Sequence, residues 1–281
     1  MSESAIHDIG YQRYTGPRLG RAYGRNALYT HSLRTAFGLG RSGKAKIFPW
    51  LVVSVLVLIA VIVVAVRSET GRVVLTYIAL PQSASLLVLL FVASAAPELV
   101  SRDLRSKVLP LYFSRPILRQ DYAASKLAAL VSAVWLTVAL PLTVMFLGAA
   151  FSLPAGKIWR EFTDYLGGLV GAAVMAIIYG VVGLLVASLL GRRMVAAASI
   201  VAVFLMTSAV AAAVIGVAGP DGERIGRFLG PGPLTQTVNT WLLAGDPKQW
   251  GSFGWAYIIV SLILVLICAG LVLVRYRKVA A

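Results

Sequence analysis

Cysteine is almost missing from this 281-residue chain, and the single one, Cys268, excludes an intrachain disulfide and a cysteine zinc cluster. The two histidines, His7 and His31, both lie in the N-terminal arm, so no Cys/His metal constellation can be drawn. Charge is scarce as well: 13% of residues are charged and 59% are hydrophobic. A soluble domain carries about a quarter of its residues as charges. There is too little charge here to coat a globule of this size, and the mean hydropathy of +0.83 excludes a disordered or collagen-like chain. The composition is that of an integral membrane protein. Acids are the scarcer sign, 11 against 26 Lys and Arg, for a net charge of +15.

Six apolar runs are long enough to cross a bilayer, which takes about 20 helical residues. They fall at 49–66, 73–96, 123–150, 165–190, 194–217 and 254–274. None carries Asp, Glu, Arg or Lys in its central part. Helix is expected in each, because lipid offers no partner to a backbone N–H or C=O and a helix satisfies its own. The alternation of an outer-membrane barrel is missing. The expected fold is therefore all-α: six transmembrane helices (49–281) behind a basic arm (1–48). The arm opens on polar and basic residues, without the apolar stretch of a cleavable signal peptide.

Lys and Arg set the orientation. With the N-terminus in the cytoplasm, segments 1–48, 97–126, 191–193 and 275–281 are inside and hold 19 of the 26 basic residues. The outside segments, 67–72, 151–164 and 218–253, hold the other 7. The excess positive charge thus reads as an orientation signal and an attraction to anionic membrane lipids, and not as a nucleic-acid footprint. Trp159, Trp241, Trp250 and Trp255 fall near the outer interface and Trp50 near the inner one, as indoles prefer.

Several segments stand out. In the arm, Tyr29, Leu33, Ala36 and Phe37 form an apolar stripe and Asn26, Thr30 and Arg34 a polar row on another side, which predicts an amphipathic helix over about 22–39. It suits an interfacial anchor or an elbow that touches a cytoplasmic partner. Gly38-Leu39-Gly40-Arg41-Ser42-Gly43-Lys44-Ala45 is similar to a phosphate-binding loop. It fails where the chemistry needs it, because Ala45 replaces the hydroxyl that ligates magnesium and no apolar strand precedes it. In the loop 97–126, Leu104, Val108, Leu111 and Tyr112 share a helical face while Arg102, Arg105 and Lys107 carry charge into water. Pro110 should end or bend that helix, and Arg115-Pro116 should turn the chain. This short helix suits either contact with a soluble partner or a loop that only enforces topology. The last outer loop, 218–253, is rich in Gly and Pro, and its stretch 233–244 suits a re-entrant or surface-lying helix pair. Gly167-x-x-x-Gly171 allows close helix packing.

The order of these features resembles the permease subunit of ABC-2-type (type V) ABC transporters. The resemblance rests on Glu98, Arg102, Leu111-Tyr112, Arg115-Pro116-Ile117, Arg119 and Lys126 around the inner loop, and on the amphipathic arm, six spans and long final outer loop. It implies a dimer of permeases, homo- or heteromeric, that exports its cargo by alternating access and is driven by separate ABC ATPase subunits. ATP and magnesium would act in those subunits, and this chain would need no cofactor and perform no catalysis. The resemblance also implies a place in the bacterial cytoplasmic membrane. Coupling to the ATPase would fall to Glu98, Arg102, Arg105, Lys107, Leu109, Leu111, Tyr112, Phe113 and Arg115. Spans two and five would line the path, which makes Gln82, Ser85, Thr207 and Ser208 the pathway candidates. A buried Gln is costly in lipid unless it pairs or faces water, so Gln82 leads that set.

Two other classes compete. An ion-coupled secondary transporter or channel usually places ionisable residues inside its spans. A membrane-embedded lipid-modifying enzyme generally gathers carboxylates around a metal, and beyond the tip of the arm the inner side offers only Glu98, Asp103 and Asp121, interleaved with Arg and Lys. The broken phosphate loop yields a direct expectation: the purified chain should not bind ATP. Equilibrium dialysis with radiolabelled ATP and magnesium checks it, and stoichiometric binding would refute it.

Overall fold

The computed structural model describes residues 16, 19–40, 43–101, 103, 117–152, 155–217, 219–243 and 253–278. Among them every regular element is a helix. In chain order these are α1 (Arg21–Ala36), α2 (Gly43–Thr70), α3 (Ala79–Ser83), α4 (Ser85–Leu99), α5 (Arg119–Ser152), α6 (Ile158–Leu189), α7 (Arg193–Val217), α8 (Gly219–Gly226), α9 (Pro231–Leu243) and α10 (Gly254–Lys278), with one 3-10 turn at Ala155–Lys157. Five of them, α2, α5, α6, α7 and α10, are long and apolar enough to cross a membrane. The shortest of these, α7 and α10 at 25 residues each, reach about 37 Å at 1.5 Å per residue, more than the ~30 Å of a hydrocarbon core.

The expected second span, 73–96, departs from a single long helix. Residues 71–78 are not helical, α3 is one short turn and α4 has 15 residues. Pro81 accounts for the late start. A helix running back through Tyr77 would need a Pro81 N–H to bond the Tyr77 carbonyl, and the proline ring would clash with that carbonyl instead. Helix begins just before it, with the Ala79 and Leu80 amides both bonded to the Thr76 carbonyl at 3.1 Å. Pro81 then sits in the first turn, where a missing N–H costs nothing. Pro141, by contrast, lies inside a continuous α5.

Helix α6 is the hub, with α4, α5, α7, α9 and α10 all packed on it. Small residues let them approach: a Cβ added at Gly183 would fall 2.3 Å from Val92 Cγ1 of α4. The anticipated Gly167/Gly171 pair is used differently. Gly167 faces open space, while Gly168 lies against Tyr77 and Gly171 against α9. α1 packs on α5 and α4. Leu28, Ser32 and Ala36 are buried, Phe37 stacks near Phe91 with ring centroids 5.6 Å apart, and Tyr29 donates to Ser132 Oγ at 2.9 Å. Asn26, Thr30 and Arg34 stay exposed, so the predicted stripe is the packed face, displaced toward Leu28 and Ser32.

Ion pairs sort the loops into two ends. At one, Arg21 Nε and Nη2 clamp Asp121 at 2.6 and 2.8 Å, Arg193 pairs with Glu98, Lys126 pairs with Asp103 at 2.9 Å, and Arg119 donates to the Arg277 carbonyl at 2.9 Å. The Asp121 carboxylate holds the Arg21 guanidinium above its ordinary pKa by hydrogen bonding. At the other end Arg67 pairs with Glu161. The described parts of the segments with excess Lys and Arg therefore share one end, called here the basic end, and the connection 71–78 and the turn Ala155–Lys157 share the far end. The expected sidedness is checked by single cysteines in a Cys268→Ser background. Cysteines at Ser106 and Gln120 should react with an impermeant maleimide only from the cytoplasm, and one at Arg72 only from outside. Labelling of Ser106→Cys and Arg72→Cys from the same side would overturn the topology.

Candidate functional site

Two cavities meet at Gln82. The first, of about 360 Å³, lies between α3–α4, α6, α7 and α9. Gln82 and Ser85 enter it from α3 and α4, Tyr179 and Met175 from α6, Phe204 and Ser208 from α7, and Gln236 and Asn239 from α9. The second, of about 450 Å³, sits at the far end under residues 73–79 and is lined by Arg67, Tyr77, Glu161, Asp164 and Thr240 among others. Gln82 lines both and donates from Nε2 to Thr240 Oγ1 at 3.2 Å. One hydrogen bond between the start of the broken helix and α9 thus stands where the cavities adjoin.

The two differ in electrostatics. Among the described residues no Asp, Glu, Lys or Arg lines the first, so it is a neutral pocket with apolar walls and a few amides and hydroxyls. The second is built around a fork. Arg67 Nη1 and Nη2 donate to Glu161 Oε1 and Oε2 at 2.5 and 2.9 Å, and the Tyr77 hydroxyl donates to Oε1 at 2.7 Å. A planar guanidinium matched to a carboxylate is geometrically specific. It fastens the end of α2 to the start of α6, and Tyr77, packed over Gly168, closes it from above.

Of the sequence-derived pathway residues, Gln82, Ser85 and Ser208 come together around the first cavity. Thr207 does not join them. Its hydroxyl donates to the Val203 carbonyl at 2.7 Å, and its side chain lies under Gly230. This is the ordinary fate of Thr in an apolar helix, which bonds its own i−4 carbonyl. Sequence reasoning missed Asn239, Gln236 and Tyr179. The stretch expected to form a helix pair, 233–244, forms one helix instead, α9 at Pro231–Leu243, with α8 earlier in the same loop, and α9 packs on α6, α7 and α10. The signal was faint: Pro231, Pro233 and the short run after them mark a helix start, but nothing in it says which neighbours its polar residues meet.

Of the coupling residues, Glu98 is described, and Arg102, Arg105, Lys107, Leu109, Leu111, Tyr112, Phe113 and Arg115 lie outside the described residues. Glu98 is buried at the end of α4 against Arg193. Beside it Asp103 accepts from Lys126 Nζ at 2.9 Å and from the Tyr122 hydroxyl at 2.7 Å, with Lys126 buried and Tyr122 packed on Tyr276. Among the described residues, the three carboxylates on this side, Glu98, Asp103 and Asp121, are each held by a different cation. Of the segment 38–45 that is similar to a phosphate-binding loop, residues 38–40 follow α1 and residues 43–45 already belong to α2. Gly38 and Gly40 take positive φ there, and a Cβ at Gly38 would meet the Ala45 carbonyl at 2.5 Å.

No protein-family model matches the chain, and no curated protein matches it in sequence. The geometry itself makes a prediction at the fork. Removing one partner of a buried ion pair leaves the other uncompensated, at a cost of about 3 kcal/mol. Glu161→Gln should lower the unfolding free energy in mixed micelles by about that much, and Arg67→Met with Glu161→Leu should recover most of it. A Glu161→Gln protein as stable as the parent would show that the fork contributes nothing.

Proposed function

We propose that this chain is the membrane-spanning permease subunit of an ATP-binding-cassette exporter of the ABC-2 (type V) kind. In this reading it lies in the cytoplasmic membrane of a bacterium with both termini inside. It pairs with a second permease subunit and takes its energy from separate ATPase subunits, where ATP and magnesium act. The observation that carries the reading is how the segment 104–116 is held at its two ends. At its start Asp103 is tied to Lys126 and Tyr122, and Ser101 donates to the Ala187 carbonyl at 3.0 Å. At its end the Leu118 amide donates to Asp121 Oδ2 at 3.1 Å, and Asp121 is gripped by Arg21. A push on such a segment is delivered to α4, α5, α6 and α1 together, because its roots cannot slide without breaking buried charge contacts. A loop whose only task is topology needs none of this.

The two cavities fit the same cycle. ATP-driven movement of the segment would tilt α4 and α5 and open the Gln82–Thr240 contact, converting a closed path into one that faces the far end. Gln82, Ser85 and Ser208 would line that path.

The test is co-purification with an ABC ATPase encoded beside this chain. Tyr112 and Phe113 are the expected central anchors. Truncating such an anchor costs ~2 kcal/mol or more, and a rim charge costs much less. Tyr112→Ala with Phe113→Ala should lose the ATPase during purification, while membrane levels stay normal because no span is altered. Lys107→Ala should mainly make association more sensitive to salt. A double alanine variant that copurifies and transports like the parent would sink the coupling assignment.

A further inference from the structure

Asn239, on the lining of the neutral cavity, carries a polar atom that no described residue satisfies. The residue is 1% exposed, and its Oδ1 has no hydrogen-bond partner among the described residues. Its orientation is set by the other half of the amide: Nδ2 donates to the Gly171 carbonyl at 3.2 Å. A carbonyl only accepts, so the nitrogen must be the atom beside it and the oxygen must point elsewhere. The fit is close, since a Cβ at Gly171 would lie 3.4 Å from Nδ2 and 3.1 Å from Leu243 Cδ1. The buried oxygen is therefore held in place as an acceptor without a donor, an arrangement that costs free energy until a donor arrives.

Its surroundings define what that donor belongs to. Leu86, Leu89, Met175 and Phe204 supply apolar walls, and a volume of about 360 Å³ falls in the range of small-molecule sites. With no Asp, Glu, Lys or Arg among the described lining residues, a charged head would lose its water and gain no counter-charge. Leu86 and Leu205 line the cavity and are also exposed on the outside of the bundle, at 58% and 51%. The mouth therefore opens through an apolar rim, which favours an occupant that arrives with an apolar body.

We propose that this cavity binds an uncharged amphiphile bearing an O–H or N–H donor, with the donor on Asn239 Oδ1 and the apolar chain along Met175 and Phe204. The proposal rests on the pathway reading above only in taking the same cavity as the cargo site. Binding to the chain alone and ATP-dependent transport are separate measurements, so either can fail without the other.

The experiment uses the purified full-length chain in detergent and three photolabels with one aliphatic diazirine on a decyl chain: the alcohol, its methyl ether and the primary ammonium. Adducts are mapped by mass spectrometry, and saturation is measured with and without unlabelled 1-decanol. The alcohol should label peptides of α4, α6 and α7 around the cavity, saturably and with competition by decanol. Half-saturation should come at a concentration about tenfold below that of the ether or the ammonium. Asn239→Leu should erase the preference of alcohol over ether. Should that variant not fold, Ser208→Leu leaves the amide intact and fills the cavity, and should cut labelling by all three probes at least tenfold. Non-saturable labelling of the parent, equal labelling by alcohol and ether (the result if water alone serves the amide), equal labelling by the ammonium, a preference that survives Asn239→Leu, or labelling unmoved by Ser208→Leu would each overturn the proposal.

Discussion

A backbone amide or carbonyl surrounded by hydrocarbon has nothing to bond but its own chain, and most of this architecture follows from that restriction. It makes every long apolar segment a helix, and it leaves side chains to decide how the helices meet. Where the chain departs from helix, as at 71–78, the exposed polar groups lie at an end of the bundle or under another element. The same restriction governs polar side chains. Thr137, Thr143, Thr207 and Ser94 turn back onto carbonyls of their own helices. Those that do not, such as Gln82 and Asn239, line the cavity and bond across to other elements.

Charge follows a second rule, that a buried ion must keep a partner. The pairs Asp103–Lys126, Glu98–Arg193 and Arg67–Glu161 each join two different elements, and each sits near a helix end. Between these ionic ends most contacts are apolar, with a few neutral hydrogen bonds such as Gln82–Thr240 and Asn239–Gly171. The bundle is thus stitched at its ends and smooth in its middle. That division suits a body that changes shape by tilting helices about fixed ends, as the proposed cycle requires.

Much of this was legible in the sequence, for reasons that can be stated. Five of the six expected spans stand out because length and apolarity are local properties. The helix nature of α1 and its polar face were readable from periodicity. The break in the second span was not, because a window average over 73–96 does not see that Pro81 forbids a helix through Tyr77. Gln82, Ser85 and Ser208 could be chosen because a polar residue in an apolar run is conspicuous. Asn239 sits in an unremarkable stretch of polar and apolar residues, and only the third dimension places it against Gly171. The pairs Asp103–Lys126 and Arg67–Glu161 are invisible for a similar reason: sequence shows the charges at helix ends but not which of them meet.

The docking of α1 also orders events in time. Arg21 and Asp121 are 100 residues apart, and Tyr29 and Ser132 are 103 apart. A ribosome adding about 5–20 residues per second needs roughly 5–20 seconds to cover that distance. During that interval α1 exists without α5, and Arg21 and Tyr29 lack the partners they later find there. The helix is made well before the one it docks on, and until then its packed side belongs to whatever surface the nascent chain offers it.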